Sequence, residues 1–309
     1  MSCGRPCVSL GMPVYNGERY LREALDAILA QTFQDFELVI SDNASTDSTE
    51  AICREYTEKD QRIKYYRSEQ NLGAAWNFNR SFELSSGEYF KWVAYDDICA
   101  PEYLDLCVEV LRREPSVVLC YPRAHTIDEN GKYQGVYTEN LNIRSDKPHE
   151  RFYQLLETYG WYHATQAFGL IRTSALKETL LLGNYPHADR VLLAELALRG
   201  EFFEVPEYLF LRRVHKQNSQ RANVTDTALA NWFDPKNKGK IVLPRWRRYF
   251  EYCRAIQRTE LNFLEQMRCY KQVLQRLLIS PGVLTRLGGM VGDLSRAISL
   301  LPRLSFGRQ

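Results

Sequence analysis

The chain has 309 residues, of which 45% are hydrophobic and 25% charged, so it holds enough apolar material for a sizeable core and is not a disordered chain. Its formal net charge of +2 predicts no strong field for nucleic acid. No run approaches the roughly 20 apolar residues that cross a bilayer, and the N-terminus lacks the pattern of a signal peptide. The eight cysteines form no CxxC pair and fit a reducing compartment, so we expect a cytoplasmic protein, at most peripheral to a membrane.

The first 120 residues alternate between short apolar runs and amphipathic segments. Leu21, Leu25 and Ile28 recur on one helical face, and Asp47 with Glu50 forms a capping-box pattern at the start of another helix. The predicted strands are 8–11, 36–41, 63–67, 89–95 and 117–121, and the predicted helices are 20–31, 47–58, 74–84 and 101–113. This order predicts an α/β fold with a mostly parallel sheet, which binds ligands at the carboxyl ends of its strands.

The second half of the chain has a looser pattern. A turn is predicted at 128–131, helices at 150–158 and 188–199, a strand at 202–212, a mobile loop at 217–240, one or two helices at 246–278 and loose packing at 281–309. Many Lys and Arg residues lie in 245–276 and in the tail. They form either a solvated helix face or a patch for an anionic membrane surface, and both alternatives stay open.

Polar clusters follow the first two predicted strands. Pro13 fixes the backbone and Tyr15 offers a ring that can stack on a base, although the segment also fits an ordinary turn with Asn16 as helix cap. The carboxylate of Asp42 can accept a hydrogen bond from a base or ribose. Because Asp47 is assigned to capping the next helix, we expect Asp42 to be free for a ligand.

Two further clusters follow the third and fourth predicted strands. Asn71 and Gly73 fit either a close approach of backbone to ligand or a helix start. Asp96 and Asp97 end an apolar strand, where two adjacent carboxylates are costly unless a cation or hydrogen-bond donors compensate. Oxygen ligands of this kind suit Mg²⁺ or Mn²⁺ bound partly through substrate phosphates, whereas the alternative is a solvated loop before Pro101.

Taken together, these four segments resemble glycosyltransferase family 2, whose members have the GT-A fold. The resemblance covers about residues 8–121 and weakens toward residue 215. The matching motifs are Met12-Pro13-Val14-Tyr15-Asn16, Ser41-Asp42-Asn43-Ala44-Ser45-Thr46-Asp47, Asn71-Leu72-Gly73 with Asn79, and Asp96-Asp97.

The resemblance implies roles for the first half of the chain. Pro13 and Tyr15 are implied to contact base and ribose of a nucleotide-diphosphate sugar, Asp42 to read the base, and Asn71 to belong to the same donor site. Asp96 aligns with the last Asp of the family's DxD metal motif. The first Asp of that motif is replaced by Ala94, with Asp97 as the compensating carboxylate.

The resemblance also implies a general base at the start of a later helix. Asp189 opens the predicted helix 188–199, where the helix dipole is expected to keep its carboxylate ionised. A plain N-cap role is the alternative, and Glu195 lies in the apolar body of the helix. His187 has no assigned role. His215 follows a strand and is implied to lie near the diphosphate as a metal ligand or phosphate contact.

We therefore predict a metal-assisted, inverting glycosyltransferase of the hexosyltransferase type that serves polysaccharide assembly. Its expected substrates are a nucleotide sugar and a glycan, lipid-linked or small-molecule acceptor. The predicted catalytic domain spans 1–220, with a nucleotide half at about 1–121 and an acceptor half at about 122–220, and 221–309 forms a loop and a helical extension. The alternatives are a nucleotidyltransferase, which wants a Lys- or Arg-bearing glycine loop after the first strand, and a degenerate sugar-nucleotide binder, which Ala94 suggests.

Overall fold

A computed structural model describes most of the chain. The described residues are 4–137, 141–158, 165–223, 225–240, 242–278, 288–292 and 294–295.

One sheet of nine strands organises the molecule. The strands are β1 (Val8–Val14), β2 (Phe36–Asp42), β3 (Ile63–Arg67), β4 (Tyr89–Trp92), β5 (Ile98–Cys99), β6 (Val117–Ile127), β7 (Tyr133–Val136), β8 (Leu170–Arg172) and β9 (Glu201–Arg213). Their order is β3-β2-β1-β4-β8-β6-β9-β5, and β7 pairs with β6. The pairs β1–β2, β2–β3, β1–β4 and β6–β9 are parallel, whereas β8 lies antiparallel to both β4 and β6. The predicted mostly parallel sheet is confirmed.

Helices cover both faces of this sheet. They are α1 (Leu21–Leu29), α2 (Thr49–Lys59), α3 (Ala74–Glu83), α4 (Tyr103–Arg113), α5 (Pro148–Thr158), α6 (Thr173–Lys177), α7 (Ala188–Arg199), α8 (Ser219–Ala222), α9 (Asp226–Phe233), α10 (Pro244–Arg258) and α11 (Phe263–Leu278). All seven residues of β1 and all seven of β2 are buried, as expected for parallel strands with helices on both sides.

The helix α7 is the central helix of the second half. Its residues from Ala188 to Leu198, apart from Asp189, are buried, because it packs on α5 and α10 as well as on the sheet. An α-helix with apolar residues on all of its faces is stable only where other elements cover every face. Its position brings the first turn of α7, with Asp189, close to the ends of β1 and β4.

Most predicted elements of the first half are confirmed with shifted ends. β1 runs on to Val14, β6 runs on to Ile127, and β4 ends at Trp92 instead of residue 95. The short strands β5, β7 and β8 were not predicted. β5 and β8 have two and three residues, too few for a periodicity to be visible.

The predicted mobile loop at 217–240 is wrong. The segment holds α8, α9 and a 3₁₀ turn at Pro235–Asn237, and α9 packs on α3. Thr225 caps α9 by accepting a hydrogen bond from Ala228 N at 3.1 Å. The many Asn, Asp and Gly residues of this segment serve as caps and turns between short helices, not as a disordered connection.

The C-terminal helices are confirmed as α10 and α11. They pack on α7 and α5, and Tyr252 and Val273 join the hydrophobic core that also contains Trp92 of β4. The predicted loose segment 281–309 lies almost entirely outside the described residues. In the part of the chain that the structure describes, no helix combines the length and hydropathy of a membrane span.

Candidate active site

A cavity of about 600 Å³ opens at the carboxyl ends of β1 and β4. Six residues predicted for the site from the sequence line this cavity: Pro13, Tyr15, Asn71, Asp96, Asp97 and Asp189. The predicted residues Asp42 and His215 are not in its lining. Four segments far apart in the chain therefore meet where the strand order predicts a ligand site.

The end of β1 is fixed to the loop after β2 by local hydrogen bonds. Asn16 has a left-handed backbone with φ of 52°, its N–H donates to Ser45 Oγ at 2.9 Å, and its Oδ1 accepts from Thr46 N at 2.8 Å. Asn and Asp tolerate this conformation better than other side-chain-bearing residues. The turn holds Pro13 and the 43% exposed Tyr15 at the cavity.

The expectation that Asp42 is free for a ligand is wrong. Its carboxylate is fully buried, accepts from Tyr65 Oη at 2.7 Å and from Ser45 N at 2.9 Å, and lies 3.6 Å from Arg67 Nε. Asp42 is the last residue of β2, and both Tyr65 and Arg67 come from the neighbouring strand β3. The Asp42 carboxylate therefore bonds to β3 and to the loop that follows β2, and it is not available to a ligand.

Asn43, the next residue, lines the cavity in its place and organises the Asn71 loop. Asn43 Nδ2 donates to Asn71 Oδ1 at 2.9 Å and to Gly73 O at 3.1 Å, and its Oδ1 accepts from Leu72 N at 2.9 Å. Gly73 has φ of 92°, and a Cβ there would lie 2.5 Å from the carbonyl oxygen of Phe233. Gly73 is the N-cap residue of α3, so the predicted helix start is confirmed, and its close backbone approach is to the end of α9.

Asp96 is held by residues that follow β9. Its Oδ2 lies 2.8 Å from His215 Nε2 and 3.1 Å from Asn218 Nδ2. Since Gln217 N donates to His215 Nδ1 at 3.3 Å, the ring proton sits on Nε2 and points at Asp96. His215 therefore touches the predicted metal ligand directly, and it does so as a hydrogen-bond donor.

Asp97 is the more deeply buried of the two adjacent carboxyls. Burial, together with the charge of Asp96, raises the pKa of Asp97 to about 7. Its Oδ1 accepts from Arg213 N at 2.8 Å. Asp96, by contrast, accepts from two side chains, His215 and Asn218.

Arg213 holds the loop that carries both carboxyls, a role that was not predicted from the sequence. The guanidinium is buried and donates to Asp96 O at 2.9 Å, Asp128 O at 3.3 Å and Glu23 Oε2 at 2.6 Å. It also lies 4.8 Å from the ring centre of Tyr20. The role of a buried Arg at the end of a strand cannot be predicted from the sequence alone, because its partners come from distant parts of the chain.

The chemistry of these groups fits a divalent cation shared with a diphosphate. The Asp96 carboxylate offers oxygen ligands, while Ala94 offers none. His215 does not serve as the predicted metal ligand in this arrangement, because its Nε2 faces Asp96 and its Nδ1 accepts from Gln217 N. Among the described residues there is no cluster of three or more His, Cys, Asp or Glu side chains suited to a metal. Mg²⁺ commonly takes one or two carboxylates and completes its shell with substrate phosphates and water, so this small ligand set is compatible with it.

Asp189 stands at the first turn of α7 and faces the cavity. Its Oδ1 accepts from Arg190 N at 3.0 Å. The helix dipole was expected to keep this carboxylate ionised. Burial acts in the opposite direction and raises the pKa of Asp189 above its usual value, against the opposing charge of Arg190. A raised pKa brings a carboxylate closer to the range of a useful general base.

The neighbours of Asp189 are less suited to that role. His187 lines the cavity with a left-handed φ of 65°, and burial with the nearby charges of Arg190 and Arg248 lowers its pKa to about 3. Glu195 is buried away from the cavity, where it accepts from Arg258 Nε at 2.9 Å and from Leu180 N at 3.1 Å.

The wrongly predicted loop supplies the other side of the cavity. Leu229, Trp232 and Phe233 of α9 line it. Asn231 also lines it, and its Oδ1 is buried with no hydrogen-bond partner among the described residues. The capping Thr225 and the apolar residues four apart in α9 were the local signals that could have revealed this helix.

Comparison with known proteins decides the family. The family model described as glycosyl transferase family 2 matches residues 9–180, more than half of the chain. The chain belongs to glycosyl transferase family 2. The predicted family and the predicted enzyme class, a glycosyltransferase, are thereby confirmed.

A relative and two solved structures agree with this assignment. An uncharacterized glycosyltransferase of Rickettsia bellii is 35% identical over 148 residues, which are 45% of this chain and 21% of that protein. S. aureus TarS 1–349, solved in complex with UDP, matches 96% of this chain and 81% of its own, with TM-score 0.64 and 17% identity. The mannosyltransferase PcManGT from Pyrobaculum calidifontis, in complex with GDP-Man and Mn²⁺, matches 97% and 88%, with TM-score 0.52 and 16% identity. The GT-A fold of this glycosyltransferase is confirmed, and the Rickettsia relative is several times longer than the matched region.

Proposed function

We propose that this glycosyltransferase moves a sugar from a nucleotide-diphosphate sugar to an acceptor hydroxyl. The observation that carries the proposal is the meeting of Pro13, Tyr15, Asn71, Asp96 and Asp189 around one cavity. A base-stacking ring, a charged end for a diphosphate and a carboxylate of raised pKa are the parts that this reaction needs. The complexes of TarS with UDP and of PcManGT with GDP-Man support the choice of donor class.

The nucleoside lies, in this proposal, at the end of β1. Pro13 and Tyr15 contact the base and ribose, and Asn43 offers the polar contact that was expected from Asp42. Asn43 is tied to Asn71, Leu72 and Gly73 by one hydrogen bond each, so the backbone of the Asn71 loop is already in place when the nucleotide enters. We assign this donor site to the predicted half at about 1–121.

The diphosphate lies, in this proposal, beside Asp96. Asp96 would hold a divalent cation, Mn²⁺ or Mg²⁺, while His215 orients its carboxylate through a hydrogen bond. The cation would neutralise the charge that grows on the leaving diphosphate. Arg213 keeps Asp96 in place through its backbone oxygen, and Asp97 holds the strand β9 against this loop through Arg213 N. The complex of PcManGT with Mn²⁺ supports a metal-assisted reaction.

Asp189 acts, in this proposal, as general base. Its carboxylate takes the proton from the acceptor hydroxyl while the acceptor oxygen bonds to the anomeric carbon of the donor. The bond from that carbon to the diphosphate breaks, and the nucleoside diphosphate leaves with the electron pair. A single direct displacement of this kind inverts the anomeric centre. The acceptor, a glycan, lipid-linked or small molecule, enters through the part of the cavity formed by residues 122–240.

The test is a panel of nucleotide sugars assayed with the whole chain, with and without Mn²⁺. Thermal shift reports donor binding, and release of nucleoside diphosphate in water reports breakage of the anomeric bond. We expect one uridine or guanosine diphosphate sugar to stabilise the protein and to be hydrolysed slowly, faster with metal. Binding of a donor without any hydrolysis or transfer would support the degenerate binder that Ala94 suggests, and pyrophosphate release from a nucleoside triphosphate and a sugar phosphate would support a nucleotidyltransferase.

A further inference from the structure

The outward face of α11 carries an apolar stripe that no described part of the chain covers. Phe263 is 71% exposed, Leu264 66% and Leu274 55%. The whole stripe consists of Phe263, Leu264, Met267, Leu274 and Leu278. These positions fall within about one third of the helix circumference at 3.6 residues per turn. The opposite face buries Cys269 and Val273 against the protein, so α11 is apolar on two sides.

Lysine and arginine side chains lie within or beside this apolar stripe. Lys271 lies within it, is exposed, and makes no ion pair with any described residue. On α10, Trp246 and Phe250 are 43% and 55% exposed. They share their outward face with Arg247 and Arg254, which are also exposed.

The charge of the two helices is strongly positive toward solvent. The segment 244–278 contains eight Arg or Lys residues and three Glu residues. Glu251 and Glu265 are buried, where they pair with Arg247 and Arg268 respectively. The field outside α10 and α11 therefore comes mainly from arginine and lysine.

We propose that the outward faces of α10 and α11 dock on an anionic lipid bilayer. Helices with Trp, Phe and Leu beside Lys and Arg lie in the plane of the headgroups, where apolar side chains enter the acyl boundary and cations meet lipid phosphates. Lys271 can reach the headgroups from within the stripe because its apolar stem lies along the membrane surface. This surface is separate from the cavity and goes beyond the proposed sugar transfer.

A second copy of the chain fits this face less well. In a two-fold symmetric contact the same patch meets itself, so Lys271, Arg247 and Arg254 would face the same cations of the other copy. Placing these like charges opposite each other is unfavourable unless anions lie between the two copies. A bilayer of anionic lipids supplies those anions and also accepts the apolar side chains.

The experiment is flotation of the whole chain with vesicles. We expect binding to phosphatidylcholine vesicles that contain about 30% phosphatidylglycerol at about 20 mM salt, where screening extends over about 20 Å. Binding to pure phosphatidylcholine should be much weaker. The double variant Phe263→Glu with Leu274→Glu should lower the partition coefficient at least about tenfold, because two buried side chains are lost from the acyl boundary. Lys271→Glu should lower it about fivefold or more.

Val136→Glu is the matched control, because Val136 is 44% exposed on β7, outside the two helices. It should float like the wild type. The helix variants should melt at the wild-type temperature, since Glu is a good helix former and no packed side chain is removed. The melting temperature of Val136→Glu is measured alongside, so that flotation is compared between folded proteins.

Three results would overturn the proposal. The first is wild-type protein that stays with the unbound fraction in anionic vesicles at low salt. The second is that sedimentation velocity shows a dimer of the wild type and a monomer of Leu274→Glu. The stripe would then be the contact between two copies of the chain. The third is flotation by the chain shortened to residues 1–295 but not by the full chain, which assigns the stripe to the chain's own tail. None of these readouts uses sugar transfer, so failure here leaves the proposed reaction to its own assay.

Discussion

The two sides of the cavity are built by different forces. The strand wall consists of Pro13, Asn43, Asn71, Asp96 and Asp97. The helix wall consists of Phe168, Asp189, Leu229, Asn231 and Trp232. Hydrogen bonds fix the amides and carboxyls of the strand wall in place, as Asn43 shows with its bonds to Asn71, Leu72 and Gly73. The helix wall is mostly apolar.

This difference separates two tasks. A wall whose donors and acceptors are already oriented binds a polar ligand without reordering, which suits the nucleotide and diphosphate. A wall shaped by apolar side chains changes its form with each substitution and selects by fit, which suits the acceptor. The two carboxylates that we propose for the reaction divide in the same way: Asp96 belongs to the strand wall and Asp189 to the helix wall.

The largest effect is expected from the carboxylate of the helix wall. Asp189→Asn should lower turnover by about 10²–10⁴-fold, because the amide cannot take the acceptor's proton. Asn can still accept from Arg190 N, so stability and donor affinity should stay unchanged. Burial raises the pKa of Asp189, so the acid limb of the wild-type pH profile should lie above the usual range of a carboxyl. Activity should fall as pH drops through that limb, because the base becomes protonated.

The measurement is transfer rate against pH, with isothermal titration of the donor. Asp146→Asn, at an exposed position outside the cavity, is the control and should behave as wild type. Near wild-type transfer by Asp189→Asn would remove the helix wall from the chemistry.

The carboxylate of the strand wall should give the next largest effect. Asp96→Asn removes the charge next to His215 and should lower turnover about 10²–10³-fold, with loss of the response to Mn²⁺. Asp97→Asn is the matched comparison. Since burial already raises the pKa of Asp97 to about 7, an uncharged side chain there should cost less than about tenfold. Equal losses in both variants, measured as rate against Mn²⁺ concentration, would show that the pair acts as one unit.

The junction of the two walls lies at Gly73 and offers a structural test. Gly73→Ala places a Cβ 2.5 Å from Phe233 O, whereas at Gly131 the nearest atom lies 3.9 Å from the added Cβ. Both glycines have a left-handed backbone, with φ of 92° and 81°. Gly73 also has ψ of 163°, a combination that is essentially restricted to glycine. Gly73→Ala should therefore lose about 3 kcal/mol through backbone strain and the clash with Phe233 O, whereas Gly131→Ala should lose about 1 kcal/mol through its positive φ.

Chemical denaturation of the two variants measures that difference. Donor affinity should fall for Gly73→Ala alone, because displacement of α9 disturbs the Asn71 loop. If both glycine variants lose the same stability, the walls are not coupled through this contact.

The strand wall was largely predictable because its signals are local. Polar residues that directly follow apolar strands mark the ligand edge of a parallel sheet, and Pro13, Asn71, Asp96 and Asp97 were found in that way. Asp42 was misjudged because the residues that occupy its carboxylate, Tyr65 and Arg67, belong to the next strand. No local pattern reveals a partner that depends on strand pairing.

The helix wall was only partly predictable. Asp189 was predicted from the periodicity of α7 and from the family resemblance. The helix α9 was not predicted, because the average composition of its segment is that of a loop. Its helix is short, eight residues, and its packing on α3 through Gly73 is a tertiary effect. Short helices gain most of their stability from such packing, so their sequence signal is weak.

The smallest effect, and the most specific to the helix wall, is expected at Asn231. Its Oδ1 is buried at the cavity without a partner among the described residues, so the folded protein gains nothing from it. Asn231→Ala should therefore leave the melting temperature unchanged or slightly raised, since an unsatisfied buried acceptor is removed. If a hydroxyl of the acceptor donates to this oxygen, the variant should raise the acceptor KM about five- to tenfold, the worth of one hydrogen bond, with donor affinity intact. Asn184→Ala, on the outer side of the same region, is the control and should change neither constant. A rise in donor Kd instead of acceptor KM would move Asn231 to the donor site and would mean that the two tasks are not divided between the walls.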